Sequence, residues 1–192
     1  MPEFINGAKI KIVKDYDSLS QTAANWVIDL LSQRPGASLL VPTGTTPEGM
    51  YSLLSEQSAD TFQGVKFYNL DEYCVADQDS YRFLDHNDDR SYRYYMSCKI
   101  LNAIPTIQSF FPEIDNIGTP GTYDKFIRAN GGLDLAINSI GEDGHIFGFN
   151  IPGSEFDSVT RLIPLNEETR QVNARLTGGD IPTHAISSGI QT

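Results

Sequence analysis

Cations are scarce in this chain of 192 residues: 14 Lys and Arg stand against 25 Asp and Glu, a formal net charge of −11. Nucleic acids and anionic membrane surfaces both require a cationic face, so neither is an expected partner. An anionic small molecule is not excluded, because a few Arg or Lys side chains can dominate one pocket. Cysteine is equally rare. Cys74 and Cys98 are the only two, too few for a disulfide scaffold and without the Cys/His clustering of a metal site. Two free thiols in a reduced setting are expected, with their pairing left open. No apolar run approaches a membrane span, and Met1, Pro2, Glu3, Phe4 and Ile5 offer neither the basic start nor the apolar stretch of a secretory signal. A soluble, cytoplasmic protein is therefore expected. No repeat, low-complexity tract or interdomain linker interrupts residues 1–192, which suffice for one domain with its own core.

What is present alternates between two periods. Residues 9–13 form a short alternating pattern, and a helix follows from a cap at Asp17 or Ser18 to Leu31, with Ala23, Trp26, Val27, Leu30 and Leu31 on its apolar face. Pro35 and Gly36 stop it, and residues 37–41 read as a buried strand. A loop over 42–46 leads to a helix with Pro47 in its first turn, where proline is favoured. Residues 65–69 are a strand and the acidic stretch 77–89 a long loop or lid. Helix, strand and helix follow at 92–104, 107–111 and 122–130, then a strand at 133–140. The pattern predicts an α/β fold: a three-layer, Rossmann-like, open and mostly parallel sheet with helices on both faces. Residues 185–190 start another strand just before the sequence stops, so a C-terminal portion of the fold is expected to be missing.

Three strand-end motifs carry chemistry. Asp143, Gly144 and His145 follow the strand at 133–140, at the edge where open α/β sheets bind ligands. An Asp-oriented imidazole there can move protons near neutral pH; the structural alternative is a βα turn with an exposed His. Asp71 and Glu72 follow the strand at 65–69, where desolvation can turn a carboxylate into a proton-abstracting base. Equally, Asp71 could cap a helix with Glu72 solvated. Thr43, Gly44, Thr45 and Thr46 sit between strand and helix, a position suited to an anion through backbone amides and the helix dipole. They lack the Gly-Lys-Ser/Thr ending of a Walker loop, and a plain capped turn would use the same residues. Arg170 and Arg175 could present a guanidinium fork to a phosphate or lie solvated on a helix surface. Tyr92, Tyr94 and Tyr95 read as core or helix-surface residues.

Together these motifs resemble the glucosamine-6-phosphate deaminase/isomerase family, which shares its superfamily with 6-phosphogluconolactonase. Pro-Thr-Gly-Thr-Thr-Pro at 42–47 is similar to the family's phosphate loop, with Thr45 where a second Gly is common. Asn-Leu-Asp-Glu-Tyr at 69–73 is similar to its enolisation motif, and Gly-Glu-Asp-Gly-His-Ile at 141–146 to its ring-opening motif. Phe-Asn-Ile-Pro-Gly at 149–153 and Thr-Arg-Gln-Val-Asn-Ala-Arg at 169–175 continue the match in order. The resemblance implies Asp71, Asp143 and His145 as the catalytic set. It implies Thr43, Gly44, Thr45, Thr46, Glu72 and Arg175 as substrate or phosphate contacts. It implies a sugar-phosphate substrate and no metal or organic cofactor, and it is compatible with a homo-oligomer.

The chain departs from the family pattern in three places. Ile151 stands where the deaminases have a Glu that helps orient the catalytic His, with Glu155 the nearest acid that could substitute. The stretch Ile146, Phe147, Gly148, Phe149 between His145 and Asn150 is one residue longer than usual. The sequence stops before the segment in which the resemblance implies a second phosphate ligand, a Lys. Lactone hydrolysis, which needs His145 but no C2 base, is the competing enzyme reading, and a sugar-phosphate-binding remnant without turnover is the third.

Overall fold

A computed structural model describes residues 3–5, 7–150 and 154–189. In chain order its elements are β1 (Glu3–Ile5), β2 (Ala8–Ile10), α1 (Tyr16–Gln33), β3 (Ser38–Val41), α2 (Glu48–Ser55), β4 (Lys66–Asn69), β5 (Asp71–Asp77), β6 (Ser80–Phe83) and α3 (Tyr92–Met96), which runs on into a π-helical turn (Ser97–Leu101). Then come β7 (Gln108–Phe110), α4 (Thr122–Ala129), β8 (Leu135–Ala136), β9 (Arg161–Pro164), α5 (Glu167–Thr177) and β10 (His184–Ser187).

The expected parallel sheet is present, in the order β7-β4-β3-β8. Its strands are apolar and short, and side chains alternate between two buried faces. Leu39, Val41 and Phe67 pack on one face against Val27 and Leu31 of α1, Tyr51 and Leu54 of α2, and Met96 and Ile100. Leu40 and Tyr68 point the other way, onto Tyr123 and Ile127 of α4. Helices therefore cover both faces. Each such aliphatic or aromatic side chain stabilises the fold by about 1.5–3 kcal/mol through burial.

A second sheet, antiparallel and ordered β6-β5-β10-β9, was not anticipated. The stretch 77–89 is not one long loop: β5 runs to Asp77, turns at Gln78 (φ 52°), and β6 returns along it. Of the segment expected at 185–190, residues up to Ser187 belong to β10, one of the two inner strands of this sheet, with Ser187 beside Asp71 and Arg161; Ile190 lies outside the described residues. Tyr73, Phe149, Leu165, Ile181 and Ala185 form its core. Only Leu70 separates the two sheets along the chain. Its N–H reaches Val41 in the parallel sheet and its carbonyl accepts from Ser188 next to β10.

Several local expectations shift. Asp15, not Asp17 or Ser18, caps α1, accepting from the Ser18 N–H at 2.8 Å. The buried stripe of α1 is Ser20, Ala24, Val27 and Leu31, at helical spacing, which turns Trp26 outward to 54% exposure. The strand expected over 133–140 is regular only at Leu135–Ala136, after which the chain leaves the sheet. The short strand expected at 9–13 is instead β2, which among the described residues pairs with β1. Cys74 is buried and Cys98 exposed, and both are free thiols; burial pushes Cys74 up to about 12. Among the described residues, no helix is long and apolar enough to cross a membrane.

Candidate active site

The ends of β3 and β4, the start of β5 and the 138–149 segment surround a cavity of about 160 Å³. Its wall includes Thr43, Gly44, Thr45, Thr46, Asp71, Tyr92, Glu142, His145, Gly148 and Asn173. The loop over 42–46 is braced from outside by tyrosines. Tyr51 donates to the Pro42 carbonyl at 2.5 Å, Tyr95 to that of Gly44 at 2.6 Å, and Tyr16 to that of Thr45 at 2.9 Å. Gly44 adopts φ 102°, a conformation open to glycine and strained for other residues. The motif suggested the loop from the sequence, but the braces, 9 to 51 residues away in the chain, carried no local signal.

Asp71 is the first residue of β5 and is 5% exposed. Its Oδ1 accepts no hydrogen bond within the described residues. Burial, and then the charge of Glu72, hold its pKa well above the ordinary carboxylate value. Strand alternation turns Glu72 to the opposite side, and it is not among the residues lining the cavity. Its carboxylate accepts from the backbone N–H groups of Tyr73 (2.9 Å), Tyr92 (3.0 Å) and Arg93 (2.9 Å) and from Ser91 Oγ (3.1 Å). Burial pushes Glu72 upward, and those donors pull it back. Fully buried, it clamps the first turn of α3 and so sets Tyr92 in the cavity wall. Tyr92 donates to Tyr73 Oη at 3.0 Å, and Asn173 Nδ2 does so at 2.8 Å.

Asp143 and His145 are joined as the motif predicts, with Nδ1 at 2.5 Å from Oδ1. Burial works against the Asp143 carboxylate, but the Thr169 hydroxyl and His145 outweigh it and keep its pKa below the ordinary value. The imidazole lies 5.4 Å from the Phe149 ring, centroid to centroid. A Cβ at position 141 would overlap the imidazole, which explains Gly141. After His145 the chain takes two consecutive left-handed residues, Phe147 (φ 49°) and Gly148 (φ 72°), between the bridged pair Ile146 and Asn150. A side chain at Gly148 would stand 2.5 Å from Ser187 Oγ and 3.1 Å from Asp71 Oδ2. The bulge therefore lays bare backbone over the buried carboxyl. Ile151 lies outside the described residues, and Glu155 is exposed.

The expected arginines stand outside the cavity. Arg175 pairs with Glu142 at 3.3 Å, with 69% of its side-chain surface exposed. Arg170 bonds Glu167, Asp180 and the Ile181 carbonyl. Among the described residues, no Lys or Arg lines the cavity wall, and no group of three His, Cys, Asp or Glu side chains is arranged to hold a metal.

No family model matches the chain. The glucosamine-6-phosphate deaminase of Bacillus velezensis is 37% identical over 189 residues, covering 93% of this chain and 75% of that protein. Glucosamine-6-phosphate deaminase 1 of Bacillus subtilis is 35% identical over 194 residues, covering 96% and 76%. The solved structure of a monomeric glucosamine-6-phosphate deaminase superposes with a TM-score of 0.79 at 33% identity, over 93% of this chain and 75% of that one. A 6-phosphogluconolactonase from Trypanosoma cruzi superposes at 0.70 with 16% identity, over 94% and 74%, a likeness of fold alone.

Proposed function

The chain belongs to the glucosamine-6-phosphate deaminase family, and from that premise we propose that it converts glucosamine 6-phosphate to fructose 6-phosphate and ammonia. His145, oriented by Asp143, moves the proton between the ring oxygen and the anomeric hydroxyl and opens the pyranose. Asp71 takes the C2 hydrogen as a proton, leaving an enolamine, and returns a proton to C1 to give a C2 imine. Water adds to the imine and ammonia departs, leaving the ketose. No step draws on a metal or organic cofactor. Backbone amides and hydroxyls of residues 43–46 hold the phosphate at the start of α2, and Arg175 joins them by leaving Glu142. Binding the phosphate away from the reacting carbons fixes those carbons against Asp71 and His145. The chain acts as one domain, in a reducing cytoplasm that suits its two free thiols.

The observation that carries this reading is the buried Asp71 carboxyl in the same cavity as His145 and the 43–46 loop. Burial raises its pKa, so as a base it holds an abstracted proton more firmly than an ordinary carboxylate. Lactone hydrolysis asks nothing of a second carboxylate at that place. The test is release of ammonia and fructose 6-phosphate from glucosamine 6-phosphate by the purified 192-residue chain, beside His145→Ala. Turnover that disappears in the variant is expected. A folded protein that releases no ammonia but hydrolyses 6-phosphogluconolactone would replace this reading with the lactonase. Thermal stabilisation by the sugar phosphate without any turnover would replace it with a binding remnant.

A further inference from the structure

A catalytic imidazole works only if its tautomer and ring angle are held, and the family's orienting Glu is Ile151 in this sequence. The structure offers a different support behind Asp143. Thr169, fully buried in the first turn of α5, donates its hydroxyl to Asp143 Oδ2. The other carboxylate oxygen takes His145 Nδ1 at 2.5 Å and the His145 N–H at 3.3 Å. Both Asp143 oxygens are therefore engaged, and the Asp143 side chain is 2% exposed.

Thr169 is itself fixed. Its N–H donates to the α5 cap, Asn166 Oδ1, at 2.7 Å, and a β-branched side chain in a helix has few χ1 choices. On the far side, Gly141 packs against the imidazole closely enough to leave no room for a side chain.

We propose that Thr169 is a positioning residue that completes a Thr169–Asp143–His145 hydrogen-bond chain. The Thr hydroxyl fixes the carboxylate, and the carboxylate fixes His145 as the Nδ1–H tautomer with Nε2 free to exchange protons. The chain thus orients His145 from behind, without the family Glu. Helix α5 thereby becomes part of the machinery, through a residue that touches no substrate. The consequence for turnover rests on the proposed deaminase reaction; the tautomer does not.

The experiment compares wild type, Thr169→Val and Thr169→Ser by kcat and KM for glucosamine 6-phosphate and by 15N NMR of the imidazoles. Three His residues make assignment simple, with His145→Ala as the reference. Thr169→Val keeps the branching and removes the donor. It is expected to lower kcat about ten- to a hundredfold, as small misplacements of a reacting group do, with KM close to wild type. Its His145 signal should shift from one tautomer to a mixture. Thr169→Ser keeps the hydroxyl and should restore both readouts. Wild-type kcat together with an unchanged single tautomer in Thr169→Val would overturn the proposal. If Thr169→Val does not fold, Thr169→Ala removes the same donor and is read in the same way. If wild type itself releases no ammonia, the proposed reaction fails, while the tautomer comparison still decides the role of Thr169.

Discussion

The two sheets of this molecule bury different things. Strand β3 of the parallel sheet hides all four of its residues, three of them aliphatic, between layers of helices. Strand β5 of the antiparallel sheet hides two adjacent carboxylic acids, Asp71 and Glu72, in its first two positions. Burying apolar surface stabilises, whereas burying a charge costs unless partners answer it. Glu72 is answered by four donors, and Asp71 keeps an oxygen with none among the described residues. The parallel sheet therefore sets the fold and presents the 43–46 loop. The antiparallel sheet carries the strained polarity from which chemistry can be made.

Single substitutions sharpen the contrast. The largest effect is expected from Asp71→Asn, which should cut ammonia release by about 10²–10⁴-fold, the usual contribution of a general base. The same change should raise stability at neutral pH. The Asp71 pKa is raised in the folded state, so its neutral form is favoured there, and that contribution is full below the ordinary carboxylate pKa and lost as pH rises through the raised value. Asn carries no ionisation to lose. Urea denaturation at pH 4 and pH 7 checks the sign, and equal stability of the two proteins at pH 7 would contradict it. In wild type, turnover should fall as acid protonates Asp71, with a midpoint above the ordinary carboxylate range.

The parallel sheet should respond in the opposite manner. Leu39→Ala is expected to cost about 2–5 kcal/mol in urea denaturation, from lost burial and the cavity left behind. The folded fraction should keep its kcat. A variant that lost activity without losing stability would dissolve the distinction between the sheets.

Glu72→Gln should fall between the two, costing about 1–3 kcal/mol because an amide NH₂ would face donors that now meet a carboxylate. Its kinetic signature should be a raised KM through displaced Tyr92. Trp26→Ala, on the exposed side of α1, should change stability by no more than about 0.5 kcal/mol, readable from the same denaturation curves.

Legibility in the sequence follows the same division. The Ser38–Val41 and Lys66–Asn69 strands, the helices over them and the turn at 42–46 all announce themselves by local pattern. The β5–β6 hairpin does not, because its acidic, half-exposed residues read as loop and its partner β10 lies over 100 residues away. The strand-end position of Asp71 and the pairing of Asp143 with His145 are legible because each follows a strand in a motif. The burial of Glu72 away from the cavity is not legible, because neighbouring strand residues face opposite ways and the local pattern does not reveal β5. Thr169 looked like part of an arginine-bearing helix, and its hydroxyl acquires meaning only across 26 residues, at Asp143. Trp26 misled through hydrophobicity alone, since the helical stripe passes through Val27 instead.

The most direct test of the account is the fate of the hydrogen at C2. Glucosamine 6-phosphate deuterated at C2 would be incubated with wild type and with Asp71→Asn, and the label followed by NMR into C1 of the ketose and into water. The account predicts that wild type removes the C2 deuterium as ammonia appears, and that Asp71→Asn leaves it in place. Loss of the label at wild-type rate in Asp71→Asn would contradict the assignment of the buried carboxyl as the base.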